Sequence, residues 1–342
     1  MKSDGMKRTA IILCGLAILA GCAKKQTENI NKVNRDVLEA WLAKNYPGVT
    51  ASGPGIYILE DVPPAGEARE VGTEGWVYAD YTTTGLDGSV TNTTSEEIAR
   101  KVKTFSNSKY YGPVFQSLDQ SVLPVGIEAM LSGMKVGGRR KAVIPAWLVT
   151  TERQSSADKY LDASTEESTQ IYDLTITDYT SDVYTWQKDK ISEHFASLYG
   201  AADPVEEGFW YHQLKAPDNT EDYSADAELY INYIGRYLNG KVFDTNIRNV
   251  ARDAGIENSS TVYKPAKISW ASEYTDIKMT TSGSSTSSSI ISGFALTLWQ
   301  MHPHEKGVGM FWSNLGYGDS GQSGSIPAYC PLVFEVEIVD NQ

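Results

Sequence analysis

Apolar positions along the chain recur at two spacings. In VNRDVLEAWLAKNY, Val37, Leu38, Trp41 and Leu42 fall at helical spacing, and the run ends toward Pro47 and Gly48. That pattern predicts an amphipathic helix capped by Asn34 or Asp36. GIYILEDV follows and reads as a strand. The same order returns further on: KDKISEHFASLYG is a second amphipathic stretch, and GFWYHQL is the strand-like run after it. The likeness continues beyond these pairs. Gly55-Ile56-Tyr57 leads to WVYADYTTTGLDGSV, and Gly208-Phe209-Trp210 leads to LYINYIGRYLNGKVF. Gly55 and Gly88 are 33 positions apart, and Gly208 and Gly240 are 32 apart. A repeat of about 150 residues is too long for a solenoid and predicts two copies of one domain.

The copies divide near Thr180 to Trp186, after the strand QIYDLTITDY. The organisation expected is a leader at 1–21, a polar tether at 22–33, a first domain at 34–180 and a second at 181–342. Thr245 to Ser289 has no counterpart of equal length in the first copy and reads as a long insertion, with the low-complexity run TSGSSTSSS inside it. Glu152 to Glu167 is polar and reads as a surface excursion.

Composition narrows the function classes. The 342 residues are 41% hydrophobic and 21% charged, as in a soluble globular protein. The 20 tyrosines and 8 tryptophans suit pleated, half-buried surfaces. A net charge of −13 without a basic stripe argues against nucleic acid as a partner. No GxGxxG, Walker-type loop or Ser/His/Asp order is present, and Glu96-Glu97 and Glu206-Glu207 read as solvated faces. His302-Pro303-His304 invites a metal reading, but in a chain of 4 histidines a turn is the better account, and no metal or cofactor is expected.

The first residues look like a targeting segment. Lys7 and Arg8 precede TAIILCGLAILAG, an apolar stretch too short to span a bilayer comfortably. It closes on Leu19-Ala20-Gly21-Cys22, which resembles a bacterial lipobox whose cysteine becomes the lipidated N-terminus. The alternative is an ordinary signal peptide in which Cys22 is incidental. Removal of residues 1–21 takes away a net +2 and leaves about −15. Cys14 then leaves with the leader and Cys22 is acylated, so Cys330 stands alone as a structural thiol with no disulfide partner.

Three stretches of the second copy, in order, resemble FKBP-type peptidyl-prolyl isomerases. Ile231–Asp244 (INYIGRYLNGKVFD) resembles the family's early paired strands. Ile290–Phe311 (IISGFALTLWQMHPHEKGVGMF) resembles its helix and the glycine strand entry, and Leu315–Ile338 (LGYGDSGQSGSIPAYCPLVFEVEI) its tyrosine, Gly-rich loop, Ile-Pro and final strand. The resemblance implies an α+β fold in which each copy is an antiparallel sheet curled around a short helix, Ile127–Gly133 in the first copy and Gly293–Met301 in the second.

It also implies a proline pocket in the second copy. Tyr233, Phe243, Ile290, Phe294, Ile326 and Phe334 would bind substrate, while Asp244, the Ile291 backbone N–H and Tyr317 would act on the amide. Phe294 stands where the family usually has tryptophan, and Ala328 follows Ile326-Pro327 in place of a second proline. The first copy departs further. Thr91 and Asn92 stand at the Phe-Asp pair, Ile127 at the tryptophan position, Val149 near the tyrosine slot and Tyr172 at the final phenylalanine. The expectation is a fold without its pocket. As a whole the resemblance implies a lipid-anchored prolyl isomerase, in the outer membrane and facing the periplasm, acting on proline-containing or unfolded exported proteins. The alternative is a non-catalytic module of the same fold that holds unfolded chains or a fixed protein partner.

Overall fold

The computed structural model describes residues 29–163, 165–281 and 283–341. The leader, Cys14 and the Leu19–Cys22 motif lie outside the described residues. The first helix, α1 (Ile30–Asn45), begins earlier than its apolar spacing predicts. Asn29 caps it, accepting from the Asn31 N–H, so neither Asn34 nor Asp36 does, and residues 30–33 belong to the helix rather than to a tether. The cause is tertiary. Asn29 donates to the Leu161 carbonyl at 2.9 Å, and the buried Asn31 amide donates to the Ala163 carbonyl. These polar anchors leave no periodic mark in the sequence.

The first unit holds β1 (Tyr57–Val62), β2 (Trp76–Thr84), β3 (Val90–Thr93), α2 (Glu96–Lys101), β4 (Val114–Ser117), α3 (Val125–Leu131), β5 (Arg139–Ile144), α4 (Ala157–Asp162) and β6 (Gln170–Thr180). The surface excursion expected at 152–167 thus carries α4, whose Tyr160 is buried. Its sheet runs β1-β5-β6-β2-β3, with β4 also on β2. The second unit begins with α5 (Val183–Tyr199) and β7 (Phe209–Lys215). It continues through β8 (Glu228–Tyr237), β9 (Val242–Thr245), α6 (Arg248–Asp253), β10 (Ala266–Ser269), β11 (Lys278–Thr280), β12 (Ser288–Ser289), α7 (Ser292–Trp299), β13 (Lys306–Phe311) and β14 (Leu332–Val339). Here β7, β13, β14 and β8 repeat the order of β1, β5, β6 and β2, and every pairing is antiparallel.

Register fixes the correspondence residue by residue. Thr83 pairs with Asn92 and Tyr172 in the first unit, and Gly235 pairs with Asp244 and Phe334 in the second. The Tyr81 N–H donates to Thr94 Oγ1 at 3.0 Å, and the Tyr233 N–H to Asn246 Oδ1 at 2.8 Å. The helices dock alike as well. A Cβ on Gly126 of α3 would lie 2.3 Å from Ile144, and one on Gly293 of α7 would lie 2.3 Å from the Phe311 ring. Each helix therefore rests on its sheet through a glycine because the facing side chain already fills the space.

The insertion is shorter than its sequence suggests. Within 245–289, α6 and β10 are the counterparts of α2 and β4, and β10 pairs with β8 as β4 pairs with β2. The true addition is the following stretch that carries β11 and β12. It extends the sheet outward from β10, beside the Glu228–Ile231 end of β8. Trp270 and Trp299 stack at 5.3 Å to tie this edge to α7.

α5 joins the units. Asp182 caps it by accepting from the Tyr184 and Thr185 N–H groups. Ile191 and Phe195 cover the outer face of the second sheet against Trp210, Val308, Met310 and Val333. Its first turn meets both units: Trp186 packs on Tyr78 and Phe115 at 5.1 and 4.8 Å, and Gln187 Oε1 accepts from the Ser313 N–H at 2.7 Å.

The paired glycines generate one test. Gly126→Ala and Gly293→Ala each place a methyl inside an occupied contact, and overpacking of this kind costs ~1–3 kcal/mol. Thermal unfolding is expected at a lower temperature for both variants. A variant at Gly126 or Gly293 as stable as the parent chain contradicts the docking described.

Candidate functional site

The second unit brings the expected residues to one place. Phe334 of β14 stacks on Phe294 of α7 at 4.6 Å and lies against Phe243 of β9 at 5.7 Å and Tyr233 of β8 at 6.3 Å. Phe311 of β13 stacks below at 5.9 Å. Phe294, Phe334 and Ile326 are 3%, 4% and 2% exposed, so these rings form a filled floor. Phe294 packs between Phe334 and Tyr233, with its ring 5.5 Å from the Tyr233 ring. Phe243, Ile290, Ile291 and Tyr317 are half-buried and pack against this cluster.

Polar groups gather at its edge. Tyr233 Oη donates to Asp244 Oδ2 at 3.1 Å. Crowding by protein atoms pushes the Asp244 carboxyl upward, although the residue keeps an exposed surface. The Tyr233 hydroxyl and the Thr245 N–H oppose that push by bonding the charged form, and water at the open edge favours ionisation too. The Tyr317 hydroxyl makes no hydrogen bond among the described residues; burial first, and the Asp244 charge second, raise its pKa. At the start of α7, the Ile291 carbonyl accepts from the Phe294 and Ala295 N–H groups, as an N-cap does. The Ile291 N–H is used by no backbone bond among the described residues.

The loop from Tyr317 to Tyr329 is braced along its length. Gly321 N–H donates to the Tyr317 carbonyl, Tyr329 N–H to Gly318, and Gln322 and Ile326 exchange backbone bonds at 2.7 and 3.0 Å. Tyr237 Oη donates to the Ser325 carbonyl at 2.8 Å. The far end is held between the units: Tyr329 lies 5.9 Å from Trp76 and 6.2 Å from Phe115 of the first unit, and 6.2 Å from Tyr184 of α5. Tyr110 packs edge-on to Tyr237 at 5.0 Å, and Lys241 Nζ donates to the Lys109 carbonyl at 2.8 Å. Sequence reasoning missed Tyr110, Phe115 and Trp76, because nothing local marks an aromatic as an inter-unit contact.

The first unit corrects an expectation. Thr91, Asn92, Ile127 and Tyr172 do not close the site; they surround a cavity of about 450 Å³. The missed signal is a paired change. A Cβ on Gly235 would lie 2.8 Å from the Phe243 ring, so the phenylalanine needs glycine opposite. In the first unit the pair is Thr83 and Thr91, whose hydroxyls meet at 2.7 Å. The polar edge persists in neutral form, with Asn92 Nδ2 donating to Tyr81 Oη at 3.0 Å. Val149 lies beside Thr150, the residue that register places at the tyrosine slot; the Thr150 carbonyl accepts from the Val125 N–H at 2.9 Å.

The remaining candidates are explained by packing. His304, in a left-handed turn at φ 59°, bonds Asp218 at 2.7 Å and Asp340 at 3.1 Å, which ties two chain segments together. Both carboxylates raise its pKa, Asp218 first. Cys330 is half-buried as a residue, but its sulfur turns inward toward the Pro331 carbonyl at 3.5 Å, and burial pushes the thiol up to about 12. Glu96 and Glu97 pair with Arg100 and Lys101 one turn on in α2.

Among solved structures, the chain is similar to the 3 FKBP domains of wheat FKBP73, with 13% identity over 83% of this chain and 94% of that one, TM-score 0.28. It is similar to a peptidyl-prolyl cis-trans isomerase of Pseudomonas syringae pv. tomato, with 19% identity over 47% and 94% of the two chains, TM-score 0.32. It is also similar to FkpA of Escherichia coli, with 19% identity over 45% and 61%, TM-score 0.29. No family profile and no curated protein sequence matches the chain. The two-unit α+β architecture stands on the pairing registers of the chain itself.

The aromatic floor sets a stability expectation. Phe334→Ala removes the ring on which Phe294, Phe311 and Phe243 converge, and large-to-small core changes of this type cost ~3–5 kcal/mol. Denaturant unfolding is expected to show a loss of this size, exceeding that of Tyr317→Phe, which leaves the packed rings in place.

Proposed function

We propose that the chain is a prolyl isomerase of the FKBP type, with catalysis in the second unit. The observation that carries the reading is the convergence of Tyr233, Asp244, Tyr317 and the free Ile291 N–H on one aromatic floor. X–Pro bonds isomerise over tens to hundreds of seconds unaided because rotation breaks amide resonance. No nucleophile or metal is required to speed that rotation. An apolar floor receives the proline ring and favours the twisted amide, whose carbonyl has lost its resonance charge. The Ile291 N–H holds the carbonyl before the proline, Tyr317 donates to a neighbouring carbonyl, and Asp244 sets polarity at the rim. The cavity of the first unit favours a second reading, in which the chain mainly holds unfolded polypeptide and turnover is minor.

The deciding experiment is turnover by the full chain on a short X–Pro peptide series. Catalysis that is lost in Asp244→Ala and reduced in Tyr317→Phe supports the first reading; no turnover above the uncatalysed rate refutes it. Tyr317→Phe removes one neutral donor worth ~0.5–1.5 kcal/mol. The expected loss is a few-fold to about tenfold, since 1.36 kcal/mol is tenfold. The rate is expected to be level through neutral pH, because no proposed group is a general acid or base of that range. It should fall on the acid side as Asp244 protonates, with a midpoint above the ordinary carboxyl value of ~3.9, since its pKa is raised.

Anchoring is proposed from the leader motif alone. Acyl groups on Cys22 would hold the mature chain at the outer membrane facing the periplasm, where exported proteins are its clients. One acyl chain binds membranes weakly, and stable anchoring takes more than one. Cys22→Ser is expected to move the protein from the membrane fraction to the soluble one. A serine variant that still sediments wholly with membranes rules the anchor out.

A further inference from the structure

We propose that the cavity of the first unit is a holding site for an extended, uncharged stretch of polypeptide, joined by one groove to the loop side of the second unit. This deepens the function proposed above and rests on it for the nature of the client. The cavity measures about 450 Å³, inside the usual ~300–1,000 Å³ of ligand pockets. Its lining holds no ionisable acid or base other than tyrosine. That excludes the charge complement that a phosphate, a cation or a carboxylate ligand needs. What the lining offers is hydroxyl and amide groups over apolar walls, the complement of peptide N–H and C=O groups.

These groups are set in place before any ligand arrives. Thr91 Oγ1 donates to Gln170 Oε1 at 3.0 Å, so the single Thr83 proton is the one in the 2.7 Å contact between the two threonines. Asn92 is fixed on Tyr81 and also accepts from Lys109 Nζ at 3.4 Å. Thr83, Tyr81 and Tyr172 stand on central strands of the sheet, which hold them more firmly than a loop would. The Tyr172 hydroxyl makes no hydrogen bond among the described residues and is a donor available to a ligand carbonyl.

Continuity supplies the occupant's length. Tyr81, Asn92 and Val114 line both this cavity and a groove of about 360 Å³ between the units. The opposite wall of that groove is Gln322–Ala328, the loop whose Ile326 is in the second unit's aromatic floor. A small molecule fits either compartment. Only a chain can run from one to the other. A client held in the first unit then presents its next residues to the second at raised effective concentration.

The test uses the full chain and two uncharged probes: a four-residue X–Pro peptide and an unstructured peptide of about twenty residues with one central X–Pro bond. Filling the cavity on the pattern of the second unit gives the pair Thr83→Gly and Thr91→Phe, with Ile127→Phe as an independent variant. The long peptide is expected to bind the parent chain tenfold or more tighter than the short one, and the filled variants should lose that advantage. Turnover of the short peptide should stay within twofold. Equal affinity of the two peptides for the parent chain, or an undiminished advantage in a filled variant that unfolds at the parental temperature, overturns the holding site. Binding is read by fluorescence anisotropy of labelled peptide, so the result stands even if short-peptide turnover is nil and the isomerase reading fails. If one filled variant fails to fold, the other decides.

Discussion

The aromatic contact between the two units is the constraint on which the rest depends. Tyr329 closes the second unit's loop and rests among Trp76, Phe115 and Tyr184. Its backbone lies at φ 56°, a region costly for a bulky residue. Strain of that kind persists only where the surroundings over-determine it, and here the surroundings belong largely to the other half of the chain. The second unit's loop is thus shaped by the first. Tyr110 against Tyr237 and Lys241 on the Lys109 carbonyl extend the same brace toward the second unit's aromatic floor.

Duplication explains why one scaffold carries two different interiors. Both units keep the strand order, the glycine beneath the helix and the tyrosine bonded to its neighbour at the strand turn. What changed is a small set of side chains facing inward. Gly235 with Phe243 fills the second interior, while Thr83 with Thr91 empties the first. Asp244 becomes Asn92, which keeps the bond to tyrosine and loses the charge. A substitution at one of these positions alone would clash or leave a void, so they are best understood as pairs.

Much of this was legible in the sequence. The duplication follows from apolar spacing, and the antiparallel sheet around a short helix, with the aromatic residues gathered on the second unit's floor, follows from three family-like stretches in sequence order. Three things were not. Helix α1 starts at Ile30 because Asn29 and Asn31 bond to the carbonyls of residues more than a hundred positions away. The insertion looked longer than it is because α6 and β10 have diverged in sequence from α2 and β4 while keeping their pairing. The first unit's cavity was hidden because comparing single positions with a family pattern scores Thr91 as a loss, whereas its partner at Thr83 shows what replaced the ring. Pattern reading is strong for periodic elements and weak wherever the deciding contact is long-range and polar.

Cys330 gives the inter-unit contact an internal clock. Cys330 lines the cavity between the units with Tyr78, Tyr110 and Tyr329, and burial raises its thiol pKa and so disfavours the reactive thiolate. While the halves stay docked, an alkylating reagent meets a poor nucleophile behind an aromatic wall. A separation of the halves would restore an ordinary cysteine for as long as the gap lasted. The rate at which this one sulfur is modified would therefore report any such opening, with no residue changed.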